Sequence, residues 1–145
     1  MKDVLYENIV IDHPSGWPIW IGPAQQSDSV ELCAAHPCSL CWPDLPTAKC
    51  QGVQYSTYQN ITLRNITILS PETSPGVLLA DPSSPMKGVT FDSVKVIGQK
   101  TPHSILPWKR APYYECKRVT GGVARGGTSP IPKCFKVNSA AVVHP

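Results

Sequence analysis

The fold of this chain can be predicted from STYQNITLRNITI, residues 56–68. This stretch is rich in β-branched and aromatic residues, which are typical of β-strands. Its apolar residues do not keep a single alternation, because Ile61 and Leu63 share one parity whereas Ile66 and Ile68 take the other. Since side chains alternate between the two faces of a strand, all four can point inward only if the strand bends between the pairs.

The required bends fall at Gln59-Asn60 and at Arg64-Asn65. Asparagine tolerates the left-handed backbone conformation that a corner of one or two residues demands. A strand that turns corners while keeping the same side inward must travel around a core. The stretch therefore predicts an all-β fold in which the chain winds round a common axis.

Two further segments repeat the pattern of this stretch. VLYENIVI at residues 4–11 and VTFDSVKV at residues 89–96 each contain an aromatic residue, then an acidic residue, then Asn or Ser, then an apolar residue. Aligned on the aromatic residue, Tyr6, Tyr58 and Phe91 are predicted to occupy equivalent positions in successive turns. Internal self-similarity is typical of repeat architectures, so we expect about three turns of one winding.

The composition limits both fold and function. The chain has 145 residues, of which 16% are charged and 16 are proline, and no window carries a sustained apolar stripe of helical period. We expect one domain, or part of one, with little helix. The net charge of +3 is small and scattered, which argues against a nucleic-acid partner. No apolar run approaches the ~20 residues of a membrane span, and no nucleotide-binding glycine motif is present, so neither a membrane segment nor a cofactor is expected.

The predicted winding covers residues 1–99 and includes a cysteine-rich loop at residues 23–50. Because residues 1–3 run directly into the first repeat without a signal peptide, we expect that N-terminal coils are missing from this chain. Residues 100–145 are rich in Pro and Gly and are predicted to form an irregular tail that covers one end of the winding. A short strand is expected at residues 113–116.

Four cysteines lie in the loop, and two readings of them compete. Cys33, Cys38, Cys41 and Cys50 could bind zinc, with His36 as a spare ligand, or they could form two disulfides that stabilise a polar loop. Zinc sites usually combine two Cys-x-x-Cys pairs, whereas this loop contains one. Disulfides are therefore favoured, and no metal site is predicted.

The tail contributes Cys116 and Cys134, which bring the cysteine total to an even six. We expect these two to pair with each other and the loop cysteines to pair among themselves, while the sequence leaves other pairings open. A bond between Cys116 and Cys134 would pin the tail across the end of the winding.

Asn60 and Asn65 each begin an Asn-Ile-Thr acceptor sequence for N-glycosylation. Both also stand at predicted corners, so the alternative is that they are turn formers, stacked on Asn8 and Ser93. The turn role is favoured for Asn60, which has equivalents in the other repeats, and Asn65 is the better glycan candidate. Acceptor sequences and paired cysteines together predict a secreted, extracellular protein.

Trp17 and Trp20 flank the short apolar run that follows the first repeat. By alternation, Trp20 points away from Ile19 and Ile21, and an outward indole on a β-surface could stack on a sugar ring. The alternative, which base rates favour, is that Trp20 packs under the following loop. Trp20 and Trp17 are the candidate carbohydrate contacts.

These segments resemble a known family. VLYENIVIDHPSGWPIWIG (residues 4–22) and STYQNITLRNITILSPETSPGVLLAD (residues 56–81) resemble the late coils of right-handed parallel β-helices of the pectin-lyase type. The likeness is greatest to the polygalacturonase family, glycoside hydrolase family 28, whose final coils repeat a Tyr-x-Asn-Ile strand and a short Pro-Ile-x-Ile strand. The resemblance implies a right-handed parallel β-helix of about three coils, incomplete, with a disulfide-rich loop and a capping tail.

The family hydrolyses glycosidic bonds with separated carboxylates. Its motifs are Asn-Thr-Asp, an Asp-Asp pair, Gly-His-Gly and Arg-Ile-Lys, and none of the four occurs in this chain. No catalytic residue can therefore be transferred from the family. We expect the chain alone to be inactive, even where the parent protein is a glycoside hydrolase.

Two functions follow as expectations. The first is a C-terminal segment of a polygalacturonase-like hydrolase, which contributes structure or a wall of the cleft for a pectin-like polysaccharide. The second is a non-catalytic carbohydrate-binding or cell-surface β-helix module, for which exposed aromatic residues on a parallel sheet would be suited.

Overall fold

The computed structural model describes residues 1–22, 56–81, 83–99 and 112–137. Within these ranges the secondary structure is all β, without a helix, as the sequence predicts. The strands are β1 Lys2–Asp12, β2 Ile19–Ile21, β3 Gln59–Leu69, β4 Gly76–Leu79, β5 Met86–Ile97, β6 Glu115–Lys117, β7 Val119–Thr120, β8 Val123–Arg125 and β9 Lys136–Val137.

The strands form two sheets, and every strand pairing within them is parallel. One sheet, called sheet A, has the order β1-β3-β5-β8-β9, with β7 also paired to β5. The other, called sheet B, has the order β2-β4-β6. From β1 to β6 the chain visits the two sheets alternately, so it returns to each sheet in the same direction on every pass.

Left-handed residues interrupt the long strands of sheet A at regular intervals. In β3, Asn60 has a φ of 52° and Asn65 has a φ of 50°. The predicted corners are therefore confirmed at both asparagines. Ser70, immediately after β3, has a φ of 47°, so a left-handed residue recurs at every fifth position. The other two long strands repeat the interval at Asp3, Asn8 and His13, and at Gly88, Ser93 and Gly98.

The strand register places these residues in three columns that cross the sheet. Asn8 lies beside Asn65, which lies beside Ser93, since the flanking pairs are Ile9 with Ile66 and Ile66 with Val94. The Nδ2 atom of Asn65 donates a hydrogen bond of 2.7 Å to Oδ1 of Asn8. In the neighbouring column, Asn60 Nδ2 donates to Asp3 Oδ1 at 2.8 Å. Adjacent strands therefore turn their corners together.

The hydrophobic core lies between the two sheets. The four apolar residues of β3 identified from parity are all buried, with exposed fractions of 4% or less. Ile19, Ile21 and Leu78 of sheet B belong to the same cluster. Burying an aliphatic side chain of this size contributes about 1.5–3 kcal/mol, so the inward rows are the main source of stability.

The predicted equivalence of Tyr58 with Tyr6 and Phe91 is wrong by five residues. The structure pairs Tyr6 with Leu63, and Leu63 with Phe91, whereas Tyr58 precedes β3. The cause is that Asn-Ile-Thr occurs twice at the corner spacing, starting at Asn60 and at Asn65. Either copy can be aligned with the other repeats so that its apolar residues point inward. Only the contacts between neighbouring strands determine which alignment forms.

The prediction of an irregular tail is also wrong for residues 115–137. This segment forms four short strands, of which β6 extends sheet B while β7, β8 and β9 extend sheet A. The predicted strand at 113–116 overlaps β6. These strands have two or three residues each, and Gly or Pro residues follow β7 and β8, so they leave no periodic pattern in the sequence.

The same segment closes one end of the core. Phe135 is 7% exposed and packs edge to face on Phe91, with ring centroids 5.1 Å apart. The expected pair of Cys116 and Cys134 is confirmed as a disulfide, with the two Cα atoms 6.0 Å apart. The loop cysteines Cys33, Cys38, Cys41 and Cys50, and His36, lie outside the described residues.

Candidate functional site

The two candidate tryptophans lie together on one side of sheet B. Trp20 is flanked in β2 by the core residues Ile19 and Ile21, and with Trp17 it packs against Val77 and Leu79 in a second cluster. The two indole rings meet edge to face, with centroids 5.3 Å apart and an interplanar angle of 63°. Both side chains are partly buried. Each indole therefore already supports the fold and presents only part of its surface to solvent.

A carboxylate lies at the same register position of sheet B as Trp20. Trp20 pairs with Val77, and Val77 pairs with Glu115. Burial raises the pKa of Glu115, and the positive charges of Lys133 and Lys117 partly offset that rise. An indole offers apolar stacking for a sugar ring and a carboxylate accepts from its hydroxyl groups, and one strand, with the buried Val77, separates Trp20 from Glu115. This set, Trp17, Trp20 and Glu115, is the aromatic row of sheet B.

Two acidic residues of sheet A, Glu7 and Asp92, belong to a column of alternating charge. Glu7, Arg64, Asp92 and Arg125 occupy successive rows at the same register position. Arg64 Nη1 lies 3.5 Å from Glu7 Oε2 and Arg64 Nε lies 3.9 Å from Asp92 Oδ2, while Arg125 Nε lies 3.0 Å from Asp92 Oδ2. We call these four residues the charge column. Each of its two carboxylates therefore lies against an arginine guanidinium.

Two other acids make local contacts. Asp12 Oδ1 lies 2.6 Å from His13 Nδ1. Asp81 accepts hydrogen bonds from the hydroxyl and the backbone N–H of Ser83, and these bonds lower the pKa of Asp81. The contacts of Asp81 are typical of turn stabilisation rather than of a general acid, whose pKa would be raised.

The structure places both glycosylation candidates at exposed corners. Asn60 and Asn65 both have left-handed backbones, and both donate side-chain hydrogen bonds to the preceding row, to Asp3 and Asn8 respectively. The turn-forming role is therefore confirmed for both residues. The sequence aligns Asn60 with Asn8 and Ser93, which is wrong, because the structure aligns Asn65 with those two residues and Asn60 with Asp3 and Gly88. Glycosylation of either residue stays a prediction.

Sequence reasoning missed a cavity beside β1. It has a volume of about 250 Å³ and is bordered by inward residues of both sheets, among them Tyr6, Ile9, Ile19 and Leu63. Tyr6 is 43% exposed, although its equivalent Phe91 is fully buried. Among the described residues β1 pairs only with β3, so the Tyr6 side chain is covered by a neighbouring strand on one side only.

Metal binding and membrane insertion can be assessed over the same ranges. Among the described residues, no group of three or more His, Cys, Asp or Glu side chains is placed to hold a metal ion. The part of the chain that the structure describes also contains no helix long and apolar enough to cross a bilayer.

No protein-family model, curated protein or solved structure matches this chain.

Proposed function

We propose that the chain is a right-handed parallel β-helix segment of a polygalacturonase-like polysaccharide hydrolase, from the C-terminal part of that protein. In this role it contributes structure or a wall of the cleft that holds a pectin-like polysaccharide. The observation that carries the proposal is the alternation of the strands between two parallel sheets, with corner columns at every fifth residue. The resemblance of residues 4–22 and 56–81 to late polygalacturonase coils supplies the family.

The right-handed sense is supported by the general rule for crossover connections. A chain that leaves a sheet, passes through another layer and returns parallel in the same sheet does so with a right-handed turn in about 98% of cases. The passage from β1 through β2 to β3 is such a connection, and so is the passage from β3 through β4 to β5.

A structural rather than a catalytic role is supported by the acidic residues. The family motifs are missing from the sequence, and the carboxylates of Glu7 and Asp92 are bound to arginines in the charge column. A glycosidase needs two carboxyl groups that face the same bond, about 5–9.5 Å apart. The upstream β-helix coils of the parent protein would have to supply them.

An activity assay tests this division of roles. The purified chain is incubated with polygalacturonate, and the release of reducing ends is measured against an intact polygalacturonase. We expect no turnover above the buffer rate. Turnover comparable to the intact enzyme would overturn the catalytic part of the proposal. The coding sequence upstream of Met1 tests the family, because it is expected to encode the four missing motifs.

Secretion is part of this proposal. The confirmed Cys116–Cys134 disulfide fits an oxidising compartment, and Asn60 and Asn65 are exposed acceptor residues. Expression through a eukaryotic secretory pathway, followed by removal of N-glycans, is expected to shift the electrophoretic mobility of the chain. Asn60→Gln and Asn65→Gln, tested separately, assign the site. Absence of any shift would remove the glycosylation proposal.

The aromatic row of sheet B favours an alternative function, a non-catalytic carbohydrate-binding or cell-surface module. Binding of oligogalacturonides is measured by calorimetry for the native chain and for Trp20→Ala, with Tyr6→Ala as a control that removes an exposed aromatic residue elsewhere. The alternative predicts at least tenfold weaker binding for Trp20→Ala alone. Thermal unfolding of each variant separates lost binding from lost packing on Val77 and Leu79. Equal binding by all three proteins would contradict the alternative.

A further inference from the structure

We propose that the outward face of sheet A is a self-complementary surface on which a second copy of this chain docks about a two-fold axis. The axis runs parallel to the strands, between β3 and β5, so it reverses the order of the rows in the second copy. The inference goes beyond the proposed function, because it depends on the side chains of sheet A and not on any hydrolase activity. The surface is a face of the sheet and not an edge, so strands that precede β1 in a parent protein would lie beside it and leave it open.

The exposure of the charge column is the first observation. Leu63 is buried in the core, so Arg64, the next residue, points outward from the sheet. The side chains of Glu7, Arg64 and Arg125 are 44%, 48% and 58% exposed, although each already lies against an opposite charge. A carboxylate has several acceptor positions and a guanidinium has five N–H donors. These groups therefore retain hydrogen-bonding capacity toward a partner that lies over the sheet.

The order of the signs makes the charge column complementary to itself. From β1 to β8 the column reads negative, positive, negative, positive. Four alternating charges read in reverse have the opposite sign at every place. Rotation about the proposed axis therefore places Glu7 opposite Arg125 of the second copy and Arg64 opposite Asp92 of the second copy, and each contact occurs twice. Charge complementarity of this kind selects the partner and its orientation in an isologous contact.

A neighbouring outward column has the same symmetry. It lies two residues before the charge column on each strand, and we call it the threonine column: Leu5, Thr62, Thr90 and Val123. The same rotation places Leu5 opposite Val123 and Thr62 opposite Thr90. Apolar side chains therefore meet at both ends and hydroxyl groups meet in the middle. Leu5 is 48% exposed, and its removal from water would stabilise the dimer.

The alternative two-fold axis, which runs along the charge column, is disfavoured by the same signs. That axis would keep the order of the rows and reverse the direction of the strands. Glu7 would then face Glu7 of the second copy, and Arg64 would face Arg64. Like charges in directly opposite positions are destabilising. The sign order therefore favours the axis parallel to the strands.

The size of the surface limits the strength of the contact. The two columns contain eight residues, whereas a stable interface has about 20–30 residues on each side. Exposed ion pairs also contribute little individually. We therefore expect a weak, reversible dimer whose association decreases as salt screens the charges.

The two acceptor asparagines border this surface. Asn60 and Asn65 are the corner residues on either side of the segment that carries Thr62 and Arg64. A glycan on either asparagine would stand beside the columns and obstruct a second copy. The test therefore uses chain secreted into a bacterial periplasm, which is oxidising, and verified by mass to carry no glycan.

Sedimentation equilibrium over a series of concentrations measures the association. We expect a dimer of the native chain that weakens between about 0.05 and about 0.5 M NaCl. Glu7→Arg and Arg125→Glu each place like charges opposite each other twice, so each is expected to weaken association at least about tenfold. Glu72→Arg is the matched control, because it makes the same charge change between β3 and β4, outside sheet A. It is expected to associate as the native chain does.

Mixing the two reversed variants is the decisive step. Glu7→Arg opposite Arg125→Glu restores opposite charges at every contact, so the mixture is expected to associate as a heterodimer about as tightly as the native chain. Thermal unfolding verifies that each variant folds. A native chain that stays monomeric, a dimer that either reversal leaves intact, or folded variants that do not associate when mixed would overturn the proposal.

A measurement on the native chain alone keeps the proposal testable if a variant does not fold. In a sample that mixes two isotope labels, a filtered nuclear Overhauser spectrum should join Leu5 methyl groups of one copy to Val123 methyl groups of the other. Within one copy these residues are three rows apart, about 14 Å at the spacing of adjacent strands, so the contact reports only the dimer. A native dimer without this contact would contradict the proposed axis.

Discussion

Asn65 combines a backbone and a side-chain contribution at the central corner column of sheet A. Its left-handed φ of 50° would cost about 1–2 kcal/mol for most L-residues, a cost that asparagine largely avoids. Its amide also donates a 2.7 Å hydrogen bond to Asn8 in the adjacent row. The residue therefore lets β3 bend and aligns it with β1.

Substitutions at Asn65 separate these two contributions. Asn65→Ala loses both, and we expect it to lower the free energy of unfolding by about 2 kcal/mol. Asn65→Gly keeps the freedom to adopt a positive φ and loses only the side-chain bond, so a decrease of about 1 kcal/mol is expected. Urea denaturation gives both values. Equal losses in the two variants would show that backbone conformation contributes nothing at this corner.

Glu115 is expected to make stability depend on pH. Burial raises its pKa in the folded state, so the folded chain retains a proton that the unfolded chain has already lost. The contribution of Glu115 to stability is therefore most favourable below its unfolded pKa and declines as pH rises through the folded pKa. We expect Glu115→Gln to remove this decline in denaturation curves measured from pH 3 to pH 8.

Asp81 is a control, because its effect on stability should depend on pH in the opposite direction to that of Glu115. Hydrogen bonds from Ser83 lower its pKa, so its contribution is present above the unfolded pKa and is lost as pH falls through the folded pKa. Asp81→Asn should therefore reduce stability at neutral pH and leave it unchanged in acid. If Glu115→Gln and Asp81→Asn changed the pH profile in the same direction, the assignment of these two groups would be contradicted.

At the scale of elements, parity in β3 predicted the corners and the inward residues but could not predict the register. The apolar residues 61, 63, 66 and 68 all point inward. Side chains alternate between the two faces of a strand, so these four can share one face only if the strand bends between residues 63 and 66. The register depends on which residues of the neighbouring strand lie alongside, and the two Asn-Ile-Thr copies of β3 allow two different alignments with that strand. Tyr58 matches the aromatic residue of the other repeats in sequence, whereas Leu63 occupies the position beside Tyr6 and Phe91 in the structure.

The contact between β2 and β4 depends on the absence of a side chain at Gly76. A Cβ atom there would lie 2.8 Å from both the backbone oxygen and the Cβ of Ile19. Gly76→Ala should therefore force the two strands apart and cost about 1–3 kcal/mol of stability. Gly16→Ala is the matched control, since a Cβ at Gly16 meets nothing within 4 Å. Equal stabilities in the two variants would contradict the close approach.

At the scale of the whole molecule, the two ends of the described core differ. One end is closed by Phe135 and by the Cys116–Cys134 disulfide, and the other holds the cavity beside Tyr6. The sequence predicted the closing function and the disulfide. It did not predict that the closing segment adds strands to both sheets, because strands of two or three residues have no measurable period.

The disulfide should be a main stabiliser of the closed end. It links residues separated by 18 positions, and closing a loop of that size stabilises a fold by about 3 kcal/mol. The double variant Cys116→Ser with Cys134→Ser removes this bond selectively. We expect a loss of about that size in chemical denaturation. A loss below about 0.5 kcal/mol would indicate that the closed end contributes little to global stability.

β1, β3 and β5 stack in one register, which places Tyr6, Leu63 and Phe91 side by side on the inward face of sheet A. The most direct test is a nuclear Overhauser spectrum of the isotopically labelled chain, which reports protons within about 5 Å of each other and so resolves rows spaced about 4.8 Å apart. With this register, we expect contacts from the Leu63 methyl groups to the rings of both Tyr6 and Phe91. Contacts that join Tyr6 and Phe91 to the Tyr58 ring instead, with Leu63 remote from both, would contradict it.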